Sequence, residues 1–129
     1  PFGQRAERAR HRRAQLRKSE AEAALTNLEQ LIELDVRTAL VEVERTTRQI
    51  SATRVATRLQ EAKYQAEREK FRVGKSTNLL VLTAQRDLIS SQLNEIRAEV
   101  DRRKALVELY RAEGILLDMH NIVLPGEEG

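Results

Sequence analysis

The chain has 129 residues, of which 33% are charged and 3% aromatic, and it contains no cysteine. Its 23 basic and 20 acidic side chains nearly balance, which argues against binding of the whole chain to a polyanion. The composition excludes disulfides and thiolate metal sites, and it has few of the large aromatic side chains that build a compact core. Long helices that pack through narrow apolar seams fit this composition.

A single helix is predicted over residues 5–72, because the stretch contains no proline or glycine and is rich in strong helix formers. With a rise of about 1.5 Å per residue, this helix is ~100 Å long. A helix of this length needs a packing partner to be stable. The chain begins at Pro1 rather than at an initiator methionine, and we expect it to be a piece of a longer polypeptide.

The start of this helix is strongly basic and is opposed only by Glu7. An arginine-rich helix that leads into an apolar repeat can be a nucleic-acid-binding arm. More often such a start is a solvated face, or it pairs with acidic groups of a neighbour, so nucleic acid is the less favoured partner. The basic residues are Arg5, Arg8, Arg10, Arg12, Arg13, Arg17 and Lys18.

An apolar stripe follows in the upper half of the first helix. Its members recur at helical spacing, so they lie on one face. We expect the second helix to be too short to cover this stripe, which would then need a partner outside this chain. The stripe comprises Ala21, Leu25, Leu28, Ile32, Ala39, Val43 and Ile50.

A turn is predicted at residues 73–78, because Gly74 and the small polar residues after it favour turn conformations. The second helix is predicted over residues 78–113, with Gly114 as the C′ residue, which makes it ~50 Å long. Its N-cap is expected to be one of three residues: Ser76, Thr77 or Asn78.

Apolar residues on the two helices form two seams that align in one antiparallel register. Opposite members have residue numbers that total 151 or 152. The sequence therefore predicts an all-α fold, a long antiparallel helical hairpin whose first helix is about twice as long as the second. The seam residues are Ala52, Val55 or Ala56, Leu59, Ala62 and Ala66 on the first helix, and Ile89, Leu93, Ile96 and Val100 on the second.

The segment after the second helix, residues 114–122, is more apolar than the helices, and we expect it to fold back on the outside of the bundle. Residues 123–129 are expected to be a disordered tail. His120 beside Met119 has no second histidine nearby and is a poor metal site, so a surface or packing role is the expectation. No nucleophile stands beside a base in a recognisable spacing. We therefore predict neither an enzyme nor a cofactor.

Four stretches of the chain, residues 1–6, 71–77, 79–88 and 109–114, resemble the second half of a TolC-type outer-membrane efflux protein. They look like the start of the long periplasmic helix, the periplasmic tip, the run after the tip and the end of the returning helix. The resemblance covers nearly all of residues 1–122. The tip and the ten residues after it are its most specific part.

The resemblance implies a trimeric outer-membrane efflux channel of a Gram-negative-type bacterium, continued by an α-helical tunnel through the periplasm. This chain would supply part of the tunnel wall. Its partners would be the other subunits of the homotrimer, a periplasmic adaptor (membrane fusion) protein and, through the adaptor, an inner-membrane pump. The alternative function is a soluble coiled-coil interaction module whose basic end binds nucleic acid.

Two sites follow from this resemblance. The tip would dock the adaptor, and the alternative is an ordinary loop between helices. The tip comprises Val73, Gly74, Lys75, Ser76 and Thr77. The second site is a candidate tunnel constriction that comprises Leu79, Leu80 and Thr83. The alternative for these residues is that they belong to the hairpin core. Some family members carry acidic residues at the positions of Leu80 and Thr83 and a basic residue at Ser76, so the resemblance does not extend to the charged residues of an electrostatic gate of that kind, and the sequence leaves open whether the entrance is gated electrostatically.

Overall fold

The computed structural model describes residues 2–123, which form two α-helices joined by a short turn. α1 spans Phe2–Arg72 and α2 spans Asn78–Val123. The two helices pack against each other and no strand occurs within residues 2–123, so the predicted all-α hairpin is confirmed. The helices have 71 and 46 residues, so α1 is about one and a half times as long as α2, not twice as long.

The predicted end of α2 is wrong, because the helix continues through Gly114 to Val123. A glycine inside a helix costs only about 1 kcal/mol relative to alanine. Beyond it, Leu116 and Met119 are half-buried, and burying side chains of this size stabilises the extended helix by more than the glycine costs. The segment therefore does not fold back on the outside of the bundle. Residues 124–129 of the predicted tail lie outside the described residues.

The chain divides into two compact units, Pro1–Arg37 with Ala112–Gly129 and Thr38–Arg111. We refer to them as the terminal unit and the central unit. In the terminal unit, Ile32 and Ala112 are buried. His120 Nδ1 lies 3.8 Å from Glu29 Oε1. All side chains of residues 2–28 are exposed. Packing in this unit is thus confined to the end of its α1 segment and to α2.

The central unit is held together by one narrow row of side chains on each helix, here called the inner seam. Its members are buried or half-buried, and most of them are separated alternately by three and four residues, as in a coiled coil. On α1 they are Ala39, Val43, Thr46, Ile50, Thr53, Thr57, Gln60, Tyr64 and Glu67; on α2 they are Val81, Ala84, Leu88, Ser91, Glu95, Ala98, Ala105 and Leu109.

Threonines replace larger apolar residues at several inner-seam positions of α1. The Thr46 hydroxyl donates to the carbonyls of Glu42 and Val43, at 2.9 and 3.0 Å. Thr53 repeats this pattern one heptad later with the carbonyls three and four residues before it. Because the hydroxyls of Thr46 and Thr53 are satisfied within their own helix, these two threonines act as small, stiff side chains that can be buried.

The antiparallel register agrees with the prediction. Arg54 Nε lies 3.5 Å from Glu95 Oε1, and Arg54 Nη2 lies 3.6 Å from Glu99 Oε1. These pairs have residue numbers that total 149 and 153, on either side of the predicted 151–152. In addition, Arg102 Nε donates to the Thr47 hydroxyl at 3.3 Å.

The predicted seams themselves are wrong, because their residues lie on exposed faces of the two helices. The apolar rows were assumed to face each other, whereas the rows that the hairpin buries lie on other faces and contain polar residues such as Thr53 on α1 and Ser91 on α2. We call these exposed rows the outer seams. They comprise Ala52, Val55, Leu59, Ala62 and Ala66 on α1, and Ile89, Leu93, Ile96, Val100 and Val107 on α2.

The upper apolar stripe of α1 divides into two parts. Ile32, Ala39 and Ile50 are buried, so the expectation that the whole stripe needs an external partner is wrong. α2 is longer than predicted, and the two units bury these residues between their own helices. Leu25 and Leu28 in the same stripe remain exposed.

Candidate functional site

The tip of the hairpin begins with a tightly hydrogen-bonded helix end. Gly74 has a φ of +78°, a left-handed conformation that costs other residues about 1 kcal/mol or more. Its N–H donates to the Phe71 carbonyl at 3.1 Å, and the Lys75 N–H donates to the Lys70 carbonyl at 2.8 Å. This pair of bonds is the Schellman motif, which satisfies the last carbonyls of α1.

The start of α2 is capped by Thr77. Its hydroxyl oxygen accepts a hydrogen bond from the Leu80 N–H at 3.3 Å, and its carbonyl accepts one from the Val81 N–H at 3.2 Å. Thr77 is therefore the N-cap among the three candidate residues. The two caps leave only a few residues between the helices, so the turn has little freedom to change shape.

Glu67 ties the middle of the turn back to α1. The Ser76 hydroxyl donates a hydrogen bond to Glu67 Oε1. Glu67 Oε2 also lies 3.9 Å from Lys70 Nζ. In the last turn of α1, a hydrogen bond from Arg72 Nε to Glu69 raises the pKa of Arg72 above its ordinary value. The turn is thus supported by side chains as well as by backbone bonds.

The outer surface of the tip is small and accessible. Val73 is 53% exposed and Phe71 is 48% exposed. A Cβ added at Gly74 would meet no atom within 4 Å, so the glycine faces open space. Lys75 is exposed beside it. The five predicted tip residues therefore form one continuous turn, in which Ser76 and Thr77 hold the backbone and every residue except the half-buried Ser76 is exposed.

The candidate constriction residues lie on the exposed side of the first turns of α2. Leu79 is 72% and Leu80 is 50% exposed, and Thr83 is exposed as well. Val81 and Ala84 are the residues that turn toward α1. Leu79, Leu80 and Thr83 therefore do not belong to the hairpin core, which was the alternative for these residues.

An open groove runs along this part of the hairpin. Leu80 and Thr83 line it together with the charged residues Lys63, Lys70 and Asp87. The Thr83 hydroxyl donates to the Leu79 carbonyl at 2.8 Å, so it is satisfied within α2. The groove is open to solvent along the hairpin surface.

Sequence reasoning missed the inner seam and the link between Glu67 and Ser76. The available signal was the regular three-and-four spacing of the inner seam, which continues through threonine, glutamine and serine positions. Within residues 2–123, no helix is both long enough and apolar enough to cross a membrane. The described part of the chain also contains no group of three or more histidine, cysteine, aspartate or glutamate side chains that could hold a metal ion.

The chain is similar to a known protein family. The sequence model of the family described as outer membrane efflux protein matches residues 2–114. No curated protein and no solved structure matches the chain. The matched residues include all of α1, the turn and α2 up to Gly114.

Proposed function

Because the chain belongs to the outer membrane efflux protein family, we propose that it forms part of the wall of an efflux conduit in the periplasm. The role is structural, and no chemical step is assigned to the chain. Substrates would pass along a tube whose wall consists of hairpins standing side by side. In the full-length parent, the tube would be completed by a homotrimer that works with an adaptor protein and an inner-membrane pump.

The arrangement of the seams on the central unit carries this proposal. With about 100° of rotation per residue, the outer seam of each helix lies about 150° from its inner seam. Each helix therefore has one face for its partner in the hairpin and a second, nearly opposite face that is apolar and exposed. Such a helix suits a wall in which it has a neighbour on both sides.

This assignment can be tested in the full-length parent by disrupting an outer seam. Leu93→Asp and Ile96→Asp would place charges on an interface that the proposal buries, at a high cost in free energy. We expect loss of the oligomer and of export, while the hairpin in the 129-residue chain keeps its helix content. Asn94→Asp, which places the same charge on an exposed face of α2 outside both seams, is the matched control. Normal assembly with both charged variants would contradict the proposal.

The tip is proposed as the adaptor-docking site. Its backbone is held by the two caps and by Glu67, and it presents Val73, Gly74 and Lys75 at the surface. A partner that approaches the end of a helical hairpin needs close access to the backbone, which a residue without a Cβ allows. Because Gly74 faces open space, the bulk of a larger side chain there would meet a partner, and the hairpin itself would experience only the backbone strain of the positive φ.

Three variants separate docking from strain at the turn. Gly74→Leu adds bulk and backbone strain, whereas Gly74→Ala adds nearly the same strain, about 1 kcal/mol, with little bulk. Val73→Asp puts a charge on the apolar spot. We expect Gly74→Leu and Val73→Asp to leave expression and assembly intact but to abolish crosslinking to the adaptor and export, with Gly74→Ala close to wild type. Normal crosslinking and export in all three variants would exclude the tip as the docking site.

Leu79, Leu80 and Thr83 are proposed to narrow the conduit by presenting apolar surface toward its axis, where constrictions of this kind exclude water. Their exposure in the hairpin supports this placement. Replacing Leu79 and Leu80 with serine should raise the single-channel conductance of the assembled parent in planar bilayers. Leu117→Ser, at a leucine that is also exposed but lies near the other end of α2, is the control. Unchanged conductance in the double variant would contradict this part of the proposal.

A further inference from the structure

The first five turns of α1 carry a concentrated positive charge that the rest of the chain does not balance. Residues 5–18 hold seven basic side chains and one acidic side chain, Glu7. Of the 23 basic and 20 acidic side chains in the sequence, this leaves 16 basic and 19 acidic elsewhere. The segment is therefore positive by six, while the remainder of the chain is negative by three.

None of these seven basic residues forms an ion pair within the described part of the chain. Elsewhere arginines do find partners, as Arg45 does with Glu42 at 2.7 Å and Arg54 does with Glu95 at 3.5 Å. All side chains from residue 2 to residue 28 are exposed. The positive charge of this segment is thus left available to a partner outside the chain.

The arginines are arranged around an apolar stripe. Phe2, Ala9 and Leu16 are separated by seven residues, so they lie on one face of α1 over a length of about 21 Å. Phe2 is 88% and Leu16 is 58% exposed. Helical geometry places three arginines along each edge of this stripe: Arg5, Arg8 and Arg12 on one side, and Arg10, Arg13 and Arg17 on the other.

We propose that residues 2–18 bind the surface of an anionic phospholipid membrane. The apolar stripe would enter the boundary between headgroups and acyl chains, and the flanking arginines would contact the lipid phosphates. Helices with apolar side chains on one face and arginines beside them bind membrane interfaces in this way, by combining apolar burial with attraction to anionic lipids. Membership of an outer-membrane family places such a surface within reach of the protein.

A nucleic acid is the less suitable anionic partner. Its phosphate backbone would satisfy the arginines but would leave Phe2 and Leu16 in water, because non-specific binding to phosphates is purely electrostatic. The seven-residue spacing of the stripe therefore favours a lipid surface.

The test measures binding of the 129-residue chain to lipid vesicles by co-sedimentation. One set of vesicles contains phosphatidylglycerol and phosphatidylcholine in equal parts, and the other contains phosphatidylcholine alone. We expect binding to the anionic vesicles, much weaker binding to the neutral ones, and a decrease with added salt as charges are screened. Equal binding to both vesicle types, or binding to neither, would overturn the proposal.

Matched variants assign the binding to this segment. The first replaces Arg8, Arg12, Arg13 and Arg17 with glutamine, and the control replaces Arg48, Arg58, Arg86 and Arg97, which are also exposed and unpaired in the described part of the chain. Each basic residue near an anionic surface contributes roughly a fivefold factor, so the first variant should bind about 100-fold more weakly or worse. The control should bind like the wild type. Equal loss in both would show that only net charge matters and would overturn the proposal.

The apolar stripe has its own variant pair. Phe2→Ser with Leu16→Ser should weaken binding to anionic vesicles by about 10-fold or more, because the apolar contact is lost. Leu93→Ser, at an exposed leucine far along the sequence, should not. A duplex DNA of mixed sequence is measured in parallel at about 150 mM salt, where screening is strong. If the chain binds DNA more tightly than vesicles, and the serine variants have no effect, the partner of this segment is a nucleic acid and the lipid proposal is wrong.

Discussion

The inner and outer seams of the central unit differ in a way that runs against the usual association of apolar residues with the core. The inner seam combines alanine, threonine and other polar residues with a few larger apolar ones such as Ile50, Leu88 and Leu109, and it is buried or half-buried. The outer seams contain leucine, isoleucine and valine, and they are exposed. The contrast is clearest on α2, where the exposed outer seam is more apolar than the inner seam that the hairpin buries by itself.

The physical reason lies in how two helices approach each other. Small side chains allow the two backbones to come close, so many weak contacts form along the whole seam. Threonine suits this contact because its branched side chain is stiff and its hydroxyl can bond to its own helix, as Thr46 and Thr53 do. Larger side chains on the other face provide the apolar area that drives association with a neighbour.

Disulfide crosslinking should give the sharpest separation between the two seams. Cysteines at Thr53 and Ala98 lie on the inner seams in matching register, so they should crosslink within one chain at any protein concentration. Cysteines at Leu59 and Leu93 lie on the outer seams and should not crosslink within one chain, because their faces point away from the partner helix. Electrophoresis under non-reducing conditions at low concentration distinguishes the two. Efficient intrachain crosslinking of Leu59 with Leu93 would reverse the assignment of the seams.

Truncation of one leucine in each seam should give unequal losses of stability. Leu88 is buried in the inner seam, so Leu88→Ala should lower the free energy of unfolding of the hairpin by roughly 2–4 kcal/mol. Leu93→Ala removes the same atoms from an exposed position and should cost less than about 1 kcal/mol in a dilute sample. Urea unfolding followed by circular dichroism measures both values. Comparable losses would mean that the outer seam is covered within the chain.

The threonines of the inner seam should respond differently to replacement by valine, which preserves the branched shape. The Thr57 hydroxyl is buried and has no hydrogen-bond partner in the described part of the chain. Thr57→Val should therefore stabilise the hairpin by about 1 kcal/mol. Thr53→Val removes a hydroxyl that is already satisfied within its helix, and its effect should stay within about 0.5 kcal/mol. A destabilising Thr57→Val would show that the hydroxyl does find a partner in solution.

The smallest expected effect concerns surface ion pairs outside the seams. Hydrogen bonds from Arg45 and Arg111 hold the pKa of Glu42 and of Glu108 below their ordinary value of 4.5. Because these pKa values are lower in the folded state, the stabilisation is fully present above about pH 4.5 and is lost as the pH falls through the lower folded values. It should be small, because both pairs lie at the surface.

The thermal midpoints of the wild type and of Glu42→Gln with Glu108→Gln should therefore differ slightly at about pH 7 and approach each other as the pH falls below about 4.5. A difference that grows on acidification would contradict the sign of these pKa shifts. Because neither pair belongs to a seam, vesicle binding and assembly should be unchanged in this double variant.

Several elements of the fold could be predicted because their signals are local. Gly74 is the one glycine in the middle of the helical stretch, and it takes the left-handed conformation that ends α1. Thr77 was among the three residues expected to cap α2. The register could be predicted because the inner and outer seams of each helix have the same three-and-four spacing. Aligning either pair of seams therefore gives nearly the same pairing of residues along the two helices. The exposure of Val73 and Gly74 at the tip also follows from their place in the turn.

The choice of face and the end of α2 depended on contacts that are distant in sequence. Gly114 is a strong stop signal when considered locally, but burial of Leu116 and Met119 outweighs it. The outer seam of α2 is more apolar than its inner seam, so periodicity and hydrophobicity favoured the wrong row. The bond between Ser76 and Glu67 joins residues that come together only after the chain has turned.

By itself the sequence determined two long helices, the place of their turn and the register between them, because propensity, capping and heptad spacing act over a few residues. Only the tertiary structure decided which face of each helix is buried, because both faces repeat with the same period and the choice depends on how closely two backbones can approach. It also decided that α2 extends to Val123, since the free energy for that extension comes from α1 and not from the sequence near Gly114.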